Sequence, residues 1–277
     1  MIHDYYIYKA NFKKFNEGKQ EKEKGFPKKS EEELLKSKED KGLNDFSPEF
    51  EDLKKLPTNS VLIKIYFTLK KPYTSKGEGE FHIIDGKTFE NPIVRDKFTG
   101  LPMVRPSTWK GHLRFAAGKV EWNNEEEKEK IIRRLFGQKS GEEETLKGRL
   151  YFFPTFFKND TEKDVITPLK RDTRTPARGP ITLEVMKPGK NGEFYLLYFP
   201  YPKGKDFSEE EVDKDLKFLA EALNLMFYKY GFSAKKTSGF GVIEKLCEDK
   251  VEVCPEERKE AFSILYSEPN KTVKEGA

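Results

Sequence analysis

The chain has 277 residues, of which 36% are charged and 35% are hydrophobic, and its 52 basic and 48 acidic residues give a formal net charge of +4. A chain of this length can bury a core, and the near balance of charge excludes a polycation that binds anions through its overall charge. From its length and composition we expect one large domain or two small ones. No apolar stretch approaches the length of a membrane span and residues 1–4 do not begin a signal peptide, so we expect a cytoplasmic protein.

Lys and Glu are abundant whereas Gln occurs only twice, a composition that indicates a thermophile. The two cysteines, Cys247 and Cys254, are expected to be free thiols, with a disulfide as the alternative in a protein from a hot environment. His3, His82 and His112 show no ligand spacing, so we predict no zinc site.

The first elements enclose a long polar segment. Residues 5–10 predict a strand, and residues 11–59 are dominated by Lys, Glu, Asn, Asp and Ser, which predicts a mobile, charged insertion with a short helix at 30–37. Apolar residues then alternate from Val61 to Leu69, which predicts a strand over 60–73 and the start of the folded core.

A long loop or hairpin is predicted at residues 74–92, and two helices follow it. The first begins near Pro106 with Ser107 or Thr108 as its N-cap, since apolar residues recur at helical spacing from Trp109 onward. The second covers residues 125–136 and ends at Gly137.

The remaining pattern predicts a strand at 148–157, an irregular polar segment at 158–180, a hairpin that pairs 181–186 with 194–200, and a helix at 209–230. A glycine-rich segment, residues 231–241, leads to a last strand at 241–246. We call residues 231–241 the glycine loop.

This element order predicts an α+β fold: a ferredoxin-like or RNA-recognition-motif core, in which an antiparallel sheet carries helices on one face, enlarged by long loop insertions. We assign residues 1–59 to the N-terminal strand and its insertion, 60–246 to the core with insertions at 74–92 and 158–180, and 247–277 to a C-terminal extension. Such sheets commonly bind single-stranded RNA, although fold alone does not assign function.

The glycine loop has the composition of an anion-binding loop. Glycine lets the backbone approach a ligand closely, Lys235 and Lys236 add positive charge, and Thr237 and Ser238 add hydroxyl groups. The alternative is a tight turn before a strand, without a ligand.

The first predicted helix offers a second anion site. Ser107 and Thr108, with the unpaired N–H groups of the helix start, can bind a phosphate to which Lys110 and Arg114 add charge. The alternative for both cations is a solvated helix face. Trp109 fits the core better than a base-stacking role.

The polar segment 158–180 offers a third site. Lys170, Arg171, Arg174 and Arg178 stand among prolines and threonines, which predicts a stiff, extended strap that reaches phosphates without base specificity. A plain surface loop is the alternative.

Residues 92–114, PIVRDKFTGLPMVRPSTWKGHLR, resemble the signature of the RAMP superfamily, the RNA-binding subunits of type III CRISPR effector complexes. Family members have an Asp, a Thr-Gly-x-Pro turn and a Ser-Ser-x-Lys-Gly-x-x-Arg helix start in this order, and Leu135 to Gly137 with the end of the glycine loop continues the match over about residues 60–246. Pro106 stands where the family has Gly, and Pro154-Thr155 where it has Asp-Ala, so the subtype stays unassigned.

The resemblance implies that Arg95 and the cations above contact guide RNA, and that the 158–180 loop is a thumb between guide and target. It also implies a candidate catalytic carboxylate in the loop before Pro92, where this chain offers Glu90 and, earlier, Asp85. A cofactor is expected only if the chain cleaves RNA, and it would then be Mg²⁺ or another divalent metal.

Three hypotheses follow from this resemblance. The favoured one is a subunit that binds CRISPR guide RNA, positions target RNA and contacts neighbouring subunits of a type III complex, without contact to a membrane. The second is the backbone endoribonuclease that cuts the target. The third is a stand-alone guide-processing endoribonuclease, which needs an acid and a base near the glycine loop, where only Lys235, Lys236 and Tyr230 stand in the sequence.

Overall fold

The structure is a computed structural model that describes most of the chain beyond residue 46. The described residues are 47–75, 82–84, 87–89, 93–96, 99–137, 147–158, 161–170, 172–177, 179–201 and 209–267, with the backbone alone at 82–84, 87–89, 209 and 210. The predicted strand at 5–10 and the predicted helix at 30–37 lie outside these residues.

The described segments form a mixed α+β fold with antiparallel sheets. The strands are β1 (Val61–Thr68), β2 (His82–Ile84), β3 (Lys87–Phe89), β4 (Met103–Val104), β5 (Leu150–Phe152), β6 (Thr155–Phe156), β7 (Glu162–Ile166), β8 (Ile181–Val185), β9 (Asn191–Tyr198) and β10 (Val251–Cys254). The α-helices are α1 (Pro106–Ala117), α2 (Glu125–Phe136) and α3 (Glu209–Leu225), and short 3-10 helices are found at Phe50–Lys55, Lys236–Ser238, Glu248–Lys250 and Glu256–Leu265.

The main sheet has four antiparallel strands in the order β10, β1, β9, β5. β1 and β9 pair over their full length, from Val61 opposite Tyr198 to Thr68 opposite Asn191. Gly192 lies opposite Phe67, and a Cβ on Gly192 would come within 2.5 Å of the Phe67 ring. The glycine therefore leaves the space that this ring fills, which favours this register of the pair.

The helices cover one face of this sheet. Val61, Ile63, Ile65 and Phe67 alternate along β1, point to that face and are buried in one core with the apolar stripes of α1 and α3. The predicted strand is confirmed with shorter bounds, Val61–Thr68 instead of 60–73, and the predicted inner faces of α1 and α3 are confirmed. Side chains at the even positions of β1 point to the opposite face of the sheet.

The helix boundaries follow the predictions with two corrections. α2 has the predicted bounds: Asn124 caps it by accepting the N–H of Glu127 at 3.1 Å, and Gly137 ends it with φ of 83°. The predicted N-cap of α1 is wrong, because Arg105 is the cap and Pro106, which needs no N–H partner, is the first helical residue. α3 ends at Leu225, and residues up to Tyr230 form a wider π-helical turn.

The middle of the chain pairs differently from the prediction. The predicted strand at 148–157 is interrupted at Pro154, which cannot donate to a ladder, and yields β5 and β6. The segment 158–180 is not irregular throughout, because it contains β7. The predicted pairing of 181–186 with 194–200 is wrong: β8 pairs with β7, while β9 lies between β1 and β5.

The last strand also lies elsewhere. The predicted strand at 241–246 is wrong, because Gly241 has φ of 78° and Ile243 makes only an isolated bridge to Leu69. The position beside β1 is occupied by β10, with Val251 and Val253 buried. The main sheet thus includes a strand from the segment that we assigned to a C-terminal extension.

A buried charge network stabilises the packing of α2, β5 and α3. Asp215 is fully buried and accepts hydrogen bonds from Arg134 at 2.7 Å, Arg149 at 2.8 Å and the Tyr198 hydroxyl at 3.0 Å. Its charge is compensated by the two guanidinium groups, as a buried carboxylate requires.

The described residues show neither a bilayer-crossing helix nor a cluster of metal ligands. No helix among them combines the length and apolar character that a bilayer crossing requires. The same residues contain no group of three or more His, Cys, Asp or Glu side chains placed to hold a metal ion.

Candidate nucleic-acid interface

The outer face of α1 combines small residues with positive charge. Ser107, Gly111, Phe115 and Gly118 recur at helical spacing and are all exposed. A Cβ on Gly111 would meet no atom within 4 Å, so the helix backbone is open to close approach from outside. A ligand can therefore lie directly on the helix between residues 107 and 115.

Two cations flank this face on one side. Lys110 and Arg114 are one helical turn apart and partly exposed, and neither has an ion pair with a carboxylate in the part of the chain that the structure describes. Burial, and secondarily the charge of Arg114, lower the pKa of Lys110. An anion bound here would offset that repulsion and favour the charged form of Lys110.

The glycine loop supplies a third cation on the other side. Lys236 has its Nζ 3.8 Å from the centroid of the Phe115 ring, and burial lowers the pKa of Lys236. Lys235, Thr237 and Ser238 are exposed on the same short turn. The predicted anion site on α1 and the predicted anion loop are therefore neighbours in space.

The loop itself is a tight, anchored turn. Gly231 and Gly241 lie where its two ends cross, and a Cβ on Gly231 would come 2.2 Å from the carbonyl oxygen of Phe240. The Ser233 hydroxyl donates to the Thr74 carbonyl oxygen at 2.8 Å, and the Gly241 N–H donates to the Pro72 carbonyl oxygen at 2.7 Å. The turn and the anion-loop interpretations are thus compatible, because a rigid turn presents the lysines.

The core joins the loop to α1. Trp109 is fully buried, so it cannot stack on a base, and its ring centroid is 4.3 Å from that of Phe232 in the loop. The Trp109 Nε1–H donates to the Thr155 hydroxyl at 3.2 Å. Buried aromatic contacts of this kind fix the position of the loop relative to the helix.

His112, on α1, lies near the glycine loop, although the sequence does not predict it as part of a binding site. Burial first, and the charge of Lys236 second, lower the pKa of His112 from 6.5 to about 4. Its Nδ1 atom is buried and has no hydrogen-bond partner among the residues that the structure describes. In the sequence, the spacing of the histidines only tests whether His112 is a metal ligand. In the structure, His112 is a neutral imidazole near Lys236 of the glycine loop.

Arg95 is engaged inside the protein. Its guanidinium donates to the fully buried Glu184 at 2.7 Å, to the Thr161 hydroxyl at 2.8 Å and to the Gly100 carbonyl oxygen at 3.0 Å. Arg95 therefore ties the loop before α1 to the β7–β8 hairpin, and its predicted contact with RNA stays a prediction.

The β7–β8 hairpin, with the turn between its strands, forms an arm. The Lys170 N–H donates to the Thr175 carbonyl oxygen at 2.8 Å, the Arg174 N–H donates to the Lys170 carbonyl oxygen at 3.1 Å, and Arg174 has φ of 57°. Lys170 and Arg174 are exposed there. Arg171 and Arg178 lie outside the described residues, so two of the four predicted strap cations are placed on the arm.

The candidate catalytic residues are not described. Asp85 stands between β2 and β3, and Glu90 follows β3. Both lie outside the described residues, so the structure adds nothing to the prediction that either supports cleavage.

A protein-family model agrees with the resemblance found in the signature. The family described as the RAMP superfamily matches residues 76–244. The chain is similar to the CRISPR system Cms endoribonuclease Csm3 of Streptococcus thermophilus, with 30% identity over 173 residues that cover 57% of this chain and 76% of the relative. It is also similar to a chain in the cryo-EM structure of the Type III-B Cmr-beta bound to cognate target RNA, with a TM-score of 0.49 and 21% identity, covering 73% of this chain and 63% of the other.

Proposed function

The chain belongs to the RAMP superfamily, and we propose that it is a guide-RNA-binding subunit of a type III CRISPR effector complex. In this role it binds the CRISPR guide RNA, positions target RNA for antiviral defence and contacts the other subunits of the complex. The similarity to Csm3, over 76% of that relative's length, supports membership of the same kind of assembly.

The observation that carries the proposal is the convergence of cations without carboxylate partners on the open face of α1. Lys110 and Arg114 lie on α1 beside Gly111, and Lys236 from the glycine loop lies over the ring of Phe115 on the same helix. None of the three has an ion pair within the described part of the chain. RNA phosphates fit such a face, since proteins that bind single strands use a positively charged groove that follows the sugar-phosphate backbone. Ser107 and Thr108, and Thr237 and Ser238, extend the hydrogen-bonding surface at its two ends.

We also propose that the core is of the ferredoxin-like, RNA-recognition-motif type. Along the chain the four strands of the main sheet come in the order β1, β5, β9, β10, with helices between β1 and β5 and between β9 and β10. Across the sheet they lie in the order β10, β1, β9, β5, which is 4-1-3-2 when the strands are numbered along the chain. This is the connectivity of the split βαβ unit. The division into residues 1–59, 60–246 and 247–277 and a cytoplasmic location remain predictions.

The arm is proposed to contact the guide and target strands through Lys170, Arg171, Arg174 and Arg178. The change Arg171→Ala with Arg174→Ala is expected to weaken RNA binding and to lower the salt slope of the affinity by about 0.7 for each phosphate that the arm no longer neutralises. Binding titrations at several salt concentrations measure this slope, and an unchanged slope would contradict the role of the arm.

Affinity purification of the tagged protein from its native host, with sequencing of bound RNA, tests the main proposal. Short RNAs that share a repeat-derived 5′ end, together with co-purified subunits, are the expected result. Recovery of the protein without RNA and without partners would refute the proposal while leaving the fold unaffected.

The second candidate function is cleavage of the target, because the relative Csm3 is an endoribonuclease. Asp85 or Glu90 would then assist a divalent metal or a water molecule. Replacing both carboxylates should abolish metal-dependent cutting of a guide-bound target without loss of guide binding. The third candidate, guide processing, gains an imidazole from the position of His112 beside Lys236, and metal-independent cutting of a stem-loop repeat RNA by the protein alone would favour it.

A further inference from the structure

Phe115 is an exposed aromatic side chain on the cationic face of α1. With 43% of its surface accessible, it is the only aromatic among the exposed large apolar side chains of the described residues; the other two are Val165 and Leu169. Burial is the usual state of a phenylalanine, and this exposed ring lies on the same helix face as the cations that we propose to bind RNA.

The surroundings of the ring select the kind of partner. The Nζ atoms of Lys236 and Lys119 lie 3.8 Å and 6.0 Å from the ring centroid, and the Tyr230 ring packs perpendicular to it at 5.3 Å. Arg114 precedes Phe115 on the helix. An apolar ring among cations is unsuited to a hydrophobic protein surface, which would desolvate these charges, and is suited to a base flanked by phosphates.

We infer that Phe115 is a stacking platform for one nucleobase of the bound RNA. The base takes the place over the ring where Lys236 lies in the free chain, and Lys236 and Lys119 then contact the adjacent phosphates. The inference rests on the proposed function and deepens it, because it adds a base contact to a face that otherwise touches only phosphates.

The helix geometry fits one nucleotide beside the ring. Gly111 is one turn before Phe115 on the same face, and its missing side chain leaves the space against which a ribose and phosphate can lie. Tyr230 supports the ring from the side, so the platform is held in place by an aromatic contact rather than by the ligand. Stacking of this kind tolerates every base, since each has a π-face.

Replacement of Phe115 separates stacking from charge. Phe115→Ala is expected to weaken binding of a short fluorescent oligouridylate to the full chain roughly 5- to 150-fold, the range for loss of one stacked base. Phe115→Trp should restore the affinity. When the oligonucleotide is replaced by an abasic RNA with the same number of phosphates, the wild type and Phe115→Ala should bind equally well.

Phe115→Leu provides a matched control. Leucine keeps an apolar side chain at this position but has no π-face. Phe115→Leu should therefore bind the oligouridylate as weakly as Phe115→Ala. The high exposure of Phe115 makes a folding defect avoidable, and thermal melting of each variant checks this.

The outcomes distinguish this inference from the proposed function. Equal affinity of wild type and Phe115→Ala for the oligouridylate, or an equal loss with the abasic RNA, would overturn the stacking platform. If the wild-type protein binds both RNAs and Lys110→Ala with Arg114→Ala weakens both, the guide-binding proposal stands even when the stacking platform is overturned. If the wild-type protein binds neither RNA, both proposals fall.

Discussion

Replacing Lys110 and Arg114 together by alanine tests the cationic face of α1 directly. The two side chains are one helical turn apart, and within the described residues neither has an ion pair that the substitution would break. Alanine is the strongest helix former, so the helix itself should be retained. A change in RNA binding by this variant therefore reports the interaction of these two cations with the ligand.

The size of the effect follows from the two charges removed. Each phosphate that a cation neutralises on a single strand contributes about 0.7 to the slope of log affinity against log salt concentration. Removal of both cations lowers the slope by about 1.4, which corresponds to roughly 25-fold weaker binding at about 0.1 M salt and to no difference near 1 M salt.

Fluorescence anisotropy titrations of a short single-stranded RNA at five or so salt concentrations measure both slopes. The matched control is Lys54→Ala with Lys55→Ala, which removes two exposed lysines from the 3-10 helix Phe50–Lys55 before the start of β1. The residues after the glycine loop contact Leu69 and Lys70, beyond the other end of β1. Equal slopes for wild type and Lys110→Ala with Arg114→Ala would refute the assignment of this face to RNA. A slope change of the same size in the control would show a general charge effect instead.

Two further predictions concern stability. Asp215→Ala should lower the free energy of unfolding by about 3 to 5 kcal/mol in urea titrations, because Arg134 and Arg149 lose their buried counter-ion; a decrease below about 1 kcal/mol would contradict the role of the network. The pKa of His112 is about 4 in the folded protein and 6.5 in the unfolded chain, so the folded state favours the neutral imidazole. The part of the free energy of unfolding that depends on this neutral form is fully present above pH 6.5 and is lost as the pH falls toward 4. Between pH 7.5 and about pH 5, the wild type should lose up to about 2 kcal/mol more stability than His112→Gln, and parallel pH profiles would contradict this.

Local patterns in the sequence predicted the elements that form the core. The alternation along β1 and the apolar stripes of α1, α2 and α3 each correspond to a buried face in the structure. These signals are local, because a strand or helix that packs on one side must repeat its apolar residues with its own period. Trp109 was predicted to lie in the core because it belongs to the apolar stripe of α1, and it is buried.

Pairings between distant segments could not be predicted in this way. β10 has only four residues, too few for alternation to stand out beside the glycine loop that precedes it. β8 and β9 follow each other in the chain and are both apolar, which suggested a hairpin. In the structure β9 pairs with β1 over its full length and β8 pairs with β7.

The candidate site shows the same limit. Glu184 has no sequence signal that relates it to Arg95, and His112 has none that relates it to Lys236, because both contacts depend on how distant segments pack. Ser107, Thr108, Lys110 and Arg114 could be predicted as one candidate site because they are neighbours at the start of a single helix.

Glu184 connects the arm to the loop that leads into α1. It is fully buried at the base of the arm, and its carboxylate accepts the Ile93 N–H at 2.8 Å, the Thr161 hydroxyl at 2.6 Å and the Arg95 guanidinium at 2.7 Å. The loop that leads into α1 is thereby bound to the root of the arm. Because the core also fixes the glycine loop against α1, the arm and the cationic face are held by one rigid frame. A backbone frame that is already rigid loses little conformational entropy when its cations meet successive phosphates, so it favours one register of a bound strand over a diffuse set of contacts.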